Sequence, residues 1–197
     1  MTDIATERHP LKPFLPNNSR VLMLGSFPPP LKRWSMPFFY PNFTNDMWRI
    51  IGLIFFNDKL HFVDQKNKTF HQAEIESFLK QTGIAIFDTA TVVRRLKDNA
   101  SDKFLEVVEP TDLKHLLDQI PQCLAIITTG EKATSVLQLE FGFNQTPKVG
   151  TYITFNYKNR EIRLYRMPSS SRAYPIKVEK KADAYRTVFK SYFNINP

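Results

Sequence analysis

One cysteine, Cys123, is the only thiol in the chain. A single thiol cannot close an internal disulfide, which excludes a stapled secreted scaffold and fits a reducing cytoplasm. Long apolar runs are missing as well. None approaches the roughly 20 residues of a membrane-spanning helix, and residues 1–8 lack the hydrophobic centre of a signal peptide. Neither G-x-G-x-x-G nor Gly-Lys-Ser/Thr occurs, and the one candidate loop, residues 25–32, carries Pro28, Pro29 and Pro30. Proline has no N–H to offer a phosphate, so nucleotide-triphosphate and dinucleotide chemistry are excluded. G-x-S-x-G is absent, and none of His9, His61, His71 and His115 follows a predicted strand, so a serine-hydrolase triad has no support. Those scattered histidines and one cysteine give no paired-ligand spacing, and no metal site is expected. All four histidines read as surface residues. No internal repeat or low-complexity segment is visible.

What the sequence has is a core and a positive charge. Its 197 residues are 42% hydrophobic and 23% charged, the balance of one folded domain. Seventeen Phe against two Trp supply enough rings for a core and a stacking site together. The net charge of +8 and a pI near 9.6 favour a polyanionic partner, nucleic acid or an anionic surface, although solvated lysines alone give the same balance.

Residues 1–19 are polar, with Pro10, Pro13 and Pro16, and read as an N-terminal arm; residues 20–197 read as one α/β domain. Apolar runs predict strands at 21–24, 84–87, 123–128 and 161–165, the last in a hairpin with 151–155. Helices are predicted over 45–56 (capped by Thr44 or Asn45), 71–81, about 111–119, and from 131 onward. A last one carries Val178, Ala182, Tyr185, Val188, Phe189 and Tyr192. Residues 57–70 read as loop, and 94–108 stay unassigned. This alternation predicts a three-layer α/β/α fold around a central, mainly parallel four-stranded sheet. Right-handed crossovers bring the strand ends to one rim, so the loops at Ser26, Asp88, Thr128 and Met167 share one cleft.

Three stretches at that rim have chemical character. Phe27, Phe38, Phe39 and Tyr40 can stack on a flat ring, or belong to the core. Asn45 can position a water or read a ring edge, or merely cap its helix. Pro168, Ser169, Ser170, Ser171 and Arg172 suit a nucleic-acid backbone, or form a polar turn. In the last helix Lys177, Lys180, Lys181, Arg186 and Lys190 read as a solvated face that can also line a DNA path.

These motifs resemble those of the uracil-DNA glycosylase superfamily over residues 21–193. Gly25-Ser26-Phe27-Pro28 stands where that superfamily has its first motif, and Met167-Pro168-Ser169 where it has its second. The pattern is most similar to the hypoxanthine-DNA glycosylase and mismatch-specific branch. Phe39-Tyr40, Asn45-Asp46-Met47-Trp48 and Phe87-Asp88-Thr89 stand for its aromatic pair, N-x-F-W and W-D-V elements. The resemblance implies a monofunctional DNA glycosylase of base excision repair. It would flip a deaminated base (uracil, hypoxanthine or xanthine) out of DNA and hydrolyse its N-glycosidic bond. It implies a cytoplasmic monomer with DNA as partner and no cofactor. Phe27 replaces the catalytic Asn of the mismatch-type enzymes and Met167 the catalytic His of the efficient uracil enzymes, so the catalytic amide falls to Asn45. Gly25, Ser26, Phe27, Tyr40 and Asp88 would form the base pocket, with Tyr40 stacking and Asp88 reading the polar edge. Pro168, Ser169, Ser170, Ser171 and Arg172 would contact DNA. A non-catalytic nucleic-acid-binding relative and a hydrolase of free nucleosides or nucleotides are the alternatives.

Overall fold

A computed structural model describes residues 5–97 and 102–195. Its strands are β1 (Thr6–Arg8), β2 (Val21–Gly25), β3 (Val63–Asp64), β4 (Thr69–Phe70), β5 (Ile84–Asp88), β6 (Ala90–Arg95), β7 (Leu105–Pro110), β8 (Ala125–Thr129), β9 (Thr151–Tyr157) and β10 (Arg160–Met167). Its α-helices are α1 (Met47–Phe56), α2 (Gln72–Thr82), α3 (Leu113–Gln119), α4 (Glu131–Phe141) and α5 (Val178–Phe189). None is long and apolar enough to cross a membrane.

The central sheet has the order β5-β2-β8-β10-β9. Its first four strands are parallel, and β9 adds an antiparallel edge through its hairpin with β10. The four predicted strands are therefore all present, and the predicted hairpin partner makes the sheet five-stranded. Val21, Leu22, Met23 and Leu24 are fully buried, as a strand covered by helices on both faces requires. The chain moves one way along the sheet from β2 to β5, and the other way from β5 to β8 and β10. Right-handed crossovers then put α1 and α2 on one face and α3 and α4 on the other. Helix α5 returns against α1, where Phe55 meets Phe78 of α2 and Phe189 of α5 at ring-centroid distances of 4.8 and 5.4 Å.

Register places the parallel strand ends side by side. Gly25 pairs with Asp88, Leu24 with Thr128, and Met167 with Thr129. The end residues thus form one row across the sheet, and the segments that follow them build the cleft.

A second, three-stranded sheet, β1-β6-β7, stands beside this rim. It accounts for most of the stretch that periodicity left unassigned, since part of 94–108 is a β6–β7 hairpin; residues 98–101 lie outside the described residues. It also takes in the start of the N-terminal arm, where Thr6, Glu7 and Arg8 pair with Arg94, Val93 and Val92; further along the arm, Phe14 bridges Ile86 of β5, at the edge of the central sheet. Residues 57–70, read as loop, contain the short β3–β4 ladder.

Candidate active site

A cavity of about 610 Å³ opens over the row of strand ends. Gly25, Ser26, Phe27, Tyr40, Asn45, Asp88, Thr129 and Ser169 through Arg172 all contribute to its wall. The structure therefore brings together every predicted site residue except Pro168. That residue is buried beneath its loop, where its carbonyl accepts the Tyr185 hydroxyl at 2.8 Å. Thr129, not Thr128, faces the cavity; the Thr128 hydroxyl turns inward to Thr134 and to the Tyr165 carbonyl. Met167 is buried and supplies no wall.

The long segment between β2 and α1 has almost no regular structure, yet side chains fix it at many points. Trp34 Nε1 donates to the Pro29 carbonyl at 2.8 Å, and Arg95 Nη2 to the Pro28 carbonyl at 3.1 Å. Arg95 also holds Glu7 of the arm through two 3.0 Å bonds, so the second sheet braces the proline run. Trp48, buried in α1, donates to the Phe39 carbonyl at 3.1 Å. Arg49 donates to the carbonyls of Phe43 and Asn45 at 2.9 and 3.0 Å while lying over the Phe43 ring. Ring and backbone positions around the cavity are thus set before any ligand arrives, which limits the ordering cost of binding.

On one wall stands Asp88. A β-carbon at Gly25 would collide with Asp88 Oδ1, so glycine is what lets this carboxylate lie across the end of β2. The other oxygen, Oδ2, is 2.9 Å from His9 Nε2. Tyr40 stands next to Asp88. Its backbone is left-handed, with φ 49°, a conformation that costs a bulky residue about 1 kcal/mol or more. The turn points the ring into the cavity, edge-on to Trp48, with the hydroxyl 3.3 Å from Thr129 Oγ1. Burial, reinforced by the Asp88 charge, pushes the Tyr40 phenol well above its usual 10, so it stays protonated and can donate.

Asn45 also stands in the cavity wall. Its Oδ1 accepts the Met47 N–H at 2.9 Å, a turn that leads into α1. The N-cap position itself falls to Asp46, whose side chain caps nothing, so neither Thr44 nor Asn45 is the cap that the sequence suggests. The turn fixes the Asn45 rotamer, and among the described residues Nδ2 has no intramolecular acceptor, so the N–H₂ group is available to the cavity that Asn45 lines. The next residue, Asp46, is buried. Its N–H donates to the Ser170 carbonyl at 2.9 Å, and its carboxylate meets Lys181 Nζ at 2.9 Å. Lys181 also donates to the Ser171 carbonyl at 2.7 Å.

Two sequence expectations are overturned here. Lys181 is no surface lysine; it is 0% exposed and points inward. Arg186 of the same predicted solvated face donates to the Leu53 and Ile54 carbonyls, closing the end of α1. His9 is likewise no surface histidine. Its side chain is 3% exposed, because β1 pairs with β6 and carries the ring over the end of β5. Sequence reading also missed the cations Arg33 and Lys103, which join Arg172 at the cavity mouth.

Fold and site together define a three-layer α/β protein with its chemistry confined to one strand-end cleft. No protein-family profile and no curated protein sequence matches the chain. Among solved structures it is similar to the solution NMR structure of a Methanosarcina acetivorans protein provisionally named a uracil DNA glycosylase. The TM-score is 0.62 over 95% of this chain and 99% of that one, at 20% identity. That likeness establishes a shared fold.

Proposed function

We propose that the protein is a DNA glycosylase that removes a deaminated base by hydrolysis. The observation that carries this reading is the convergence, around one 610 Å³ cavity, of an acceptor carboxylate at the end of β5 with a protonated phenol and an amide from the β2–α1 segment. A site of this volume suits a single flat heterocycle, and the fold is that of the M. acetivorans protein, whose name refers to such an activity.

In this reading Arg33, Lys103, Arg172 and the Ser169–Ser171 hydroxyls meet the DNA backbone, and the damaged nucleotide swings into the cavity. Tyr40 and Phe27 bound the ring, and Asp88 accepts from its polar edge. The N-glycosidic bond breaks with its electron pair leaving on the base, and N–H groups of the backbone after Gly25 stabilise that anion. Asn45 holds the water that adds to the sugar carbon, and the water's surplus proton passes through solvent to the departed base. Met167 has no proton to give, so turnover is modest.

The test is incubation with duplex and single-stranded oligonucleotides carrying uracil, hypoxanthine or xanthine, with alkaline cleavage of abasic product. Strand scission at one or more lesions is expected. Salt-dependent DNA binding without scission indicates a non-catalytic relative instead, and salt-insensitive hydrolysis of free nucleosides indicates a nucleosidase.

A further inference from the structure

We propose that His9 is the positioning residue that makes Asp88 an acceptor-only reader, and that the pair thereby selects bases presenting a ring N–H. The inference rests on the glycosylase reading and deepens it by naming the chemical feature that marks a substrate.

The geometry leaves His9 one role. Its ring is surrounded by Phe27, Phe39 and Phe87, with centroids at 5.3, 6.2 and 4.7 Å. The Leu11 N–H points at Nδ1 from 3.1 Å, so Nδ1 accepts and Nε2 carries the hydrogen. In the imidazolium form Nδ1 would donate instead to the Leu11 carbonyl, 3.0 Å away. Either way Nε2–H donates to Asp88 Oδ2 at 2.9 Å. The backbone on both sides holds the ring in place, since the His9 N–H is bound to the Thr91 carbonyl at 2.8 Å. One carboxylate oxygen is thus occupied, and the other lies over Gly25 beside Tyr40.

An ionised carboxylate with one oxygen occupied offers a base an acceptor and no donor. Deamination changes the ring in the complementary sense. Cytosine N3 and adenine N1 carry lone pairs, whereas uracil N3 and hypoxanthine N1 carry hydrogens, as xanthine N1 does and as its parent guanine already did. A buried acceptor binds the second group and leaves the first facing like charge. Sites built on one polar contact of this kind discriminate by roughly 10⁴-fold. The Tyr40 hydroxyl, held protonated, supplies a donor for an adjacent carbonyl oxygen. An N–H beside a C=O is the lactam edge that deamination creates from cytosine or adenine; guanine and thymine already carry it, so the pair separates uracil and hypoxanthine from their parent bases.

A double-mutant cycle tests this. In Asp88→Asn, Nε2–H of His9 holds the amide oxygen, so the NH₂ group faces the cavity and opposes the substrate N–H. Excision of uracil or hypoxanthine should fall at least 100-fold. In His9→Leu/Asp88→Asn the amide is free to turn its oxygen inward, and activity should recover about tenfold over Asp88→Asn. His9→Gln, which can still donate to Asp88, should keep most activity, and far-UV circular dichroism shows that each variant folds. Additive losses, with the double variant no better than Asp88→Asn, overturn the proposal while leaving the glycosylase reading intact. A wild-type chain that cleaves no lesion overturns both.

Discussion

Lys181 Nζ lies 2.9 Å from Asp46 Oδ2, with the two side chains 0% and 8% exposed. This contact joins α5 to the residue that follows Asn45, and the bond from Lys181 to the Ser171 carbonyl joins both to the serine loop. The Asn45 segment and the serine loop, both in the cavity wall, are thereby fixed to one buried cation. Such pairs are weak sources of net stability but severe to break, because the remaining buried charge loses its close partner; Asp46 would keep only Arg172, at 3.7 Å. Lys181→Met should therefore cost about 3–5 kcal/mol in denaturant unfolding. Lys181→Met/Asp46→Leu, which removes both charges, should recover much of that stability without recovering activity.

Gly25→Ala tests the opposite kind of dependence. The new methyl group meets the carboxylate that His9 pins, not backbone, so the midpoint of unfolding should fall modestly as that contact gives. Moving a positioned group by about 1 Å costs on the order of 100-fold in rate. Excision should fall by that order, with DNA affinity unchanged in a gel-shift titration.

Arg172 is 58% exposed on its side chain and only loosely paired with Asp46, at 3.7 Å. Arg172→Ala should weaken binding about equally for damaged and undamaged DNA. The slope of log affinity against log salt should fall by about one, as for loss of one phosphate contact. A change confined to damaged DNA would place Arg172 in base reading instead.

The parallel strands and their end loops were legible because a doubly covered strand is a short unbroken apolar run, and such runs stand out at 21–24, 84–87 and 123–128. The joint cleft followed from crossover handedness. The polar interior was harder. Lys181 lies three residues after Val178 and four before Tyr185, on the apolar stripe itself, and only its charge argued for solvent. Its partner Asp46 has no periodic signature, since it sits in the turn before α1. His9 was invisible for a related reason: strand β1 exists only by pairing with β6, some 85 residues away, and no local pattern announces such an edge. The β6–β7 hairpin was missed because β7 is mostly exposed and charged, and β6 runs from buried Val92 and Val93 straight into Arg94 and Arg95, with no clean alternation on either strand.

Cys123 offers a check on the core. Burial pushes its thiol up from 9.0 to about 12, with a smaller opposing effect from Arg160 nearby. The folded state therefore holds this proton more tightly than the unfolded state. Its contribution to stability is complete below about pH 9 and is lost as pH rises from there toward about 12. At pH 8 the native protein should resist a thiol-alkylating reagent, whereas the chain in denaturant should take up one equivalent by mass spectrometry.

The reading of Asn45 as the water-holding amide meets its most direct test in a comparison of wild type, Asn45→Ala and Asn45→Ser on whichever lesion the wild type cleaves. Serine retains a side-chain oxygen that can accept the Met47 N–H, which alanine gives up, but it lacks the amide. Single-turnover excision should fall at least 100-fold in both variants, with Asn45→Ser as stable as wild type. Excision by Asn45→Ser at the wild-type rate would contradict the assignment and reduce Asn45 to a residue of the turn that leads into α1.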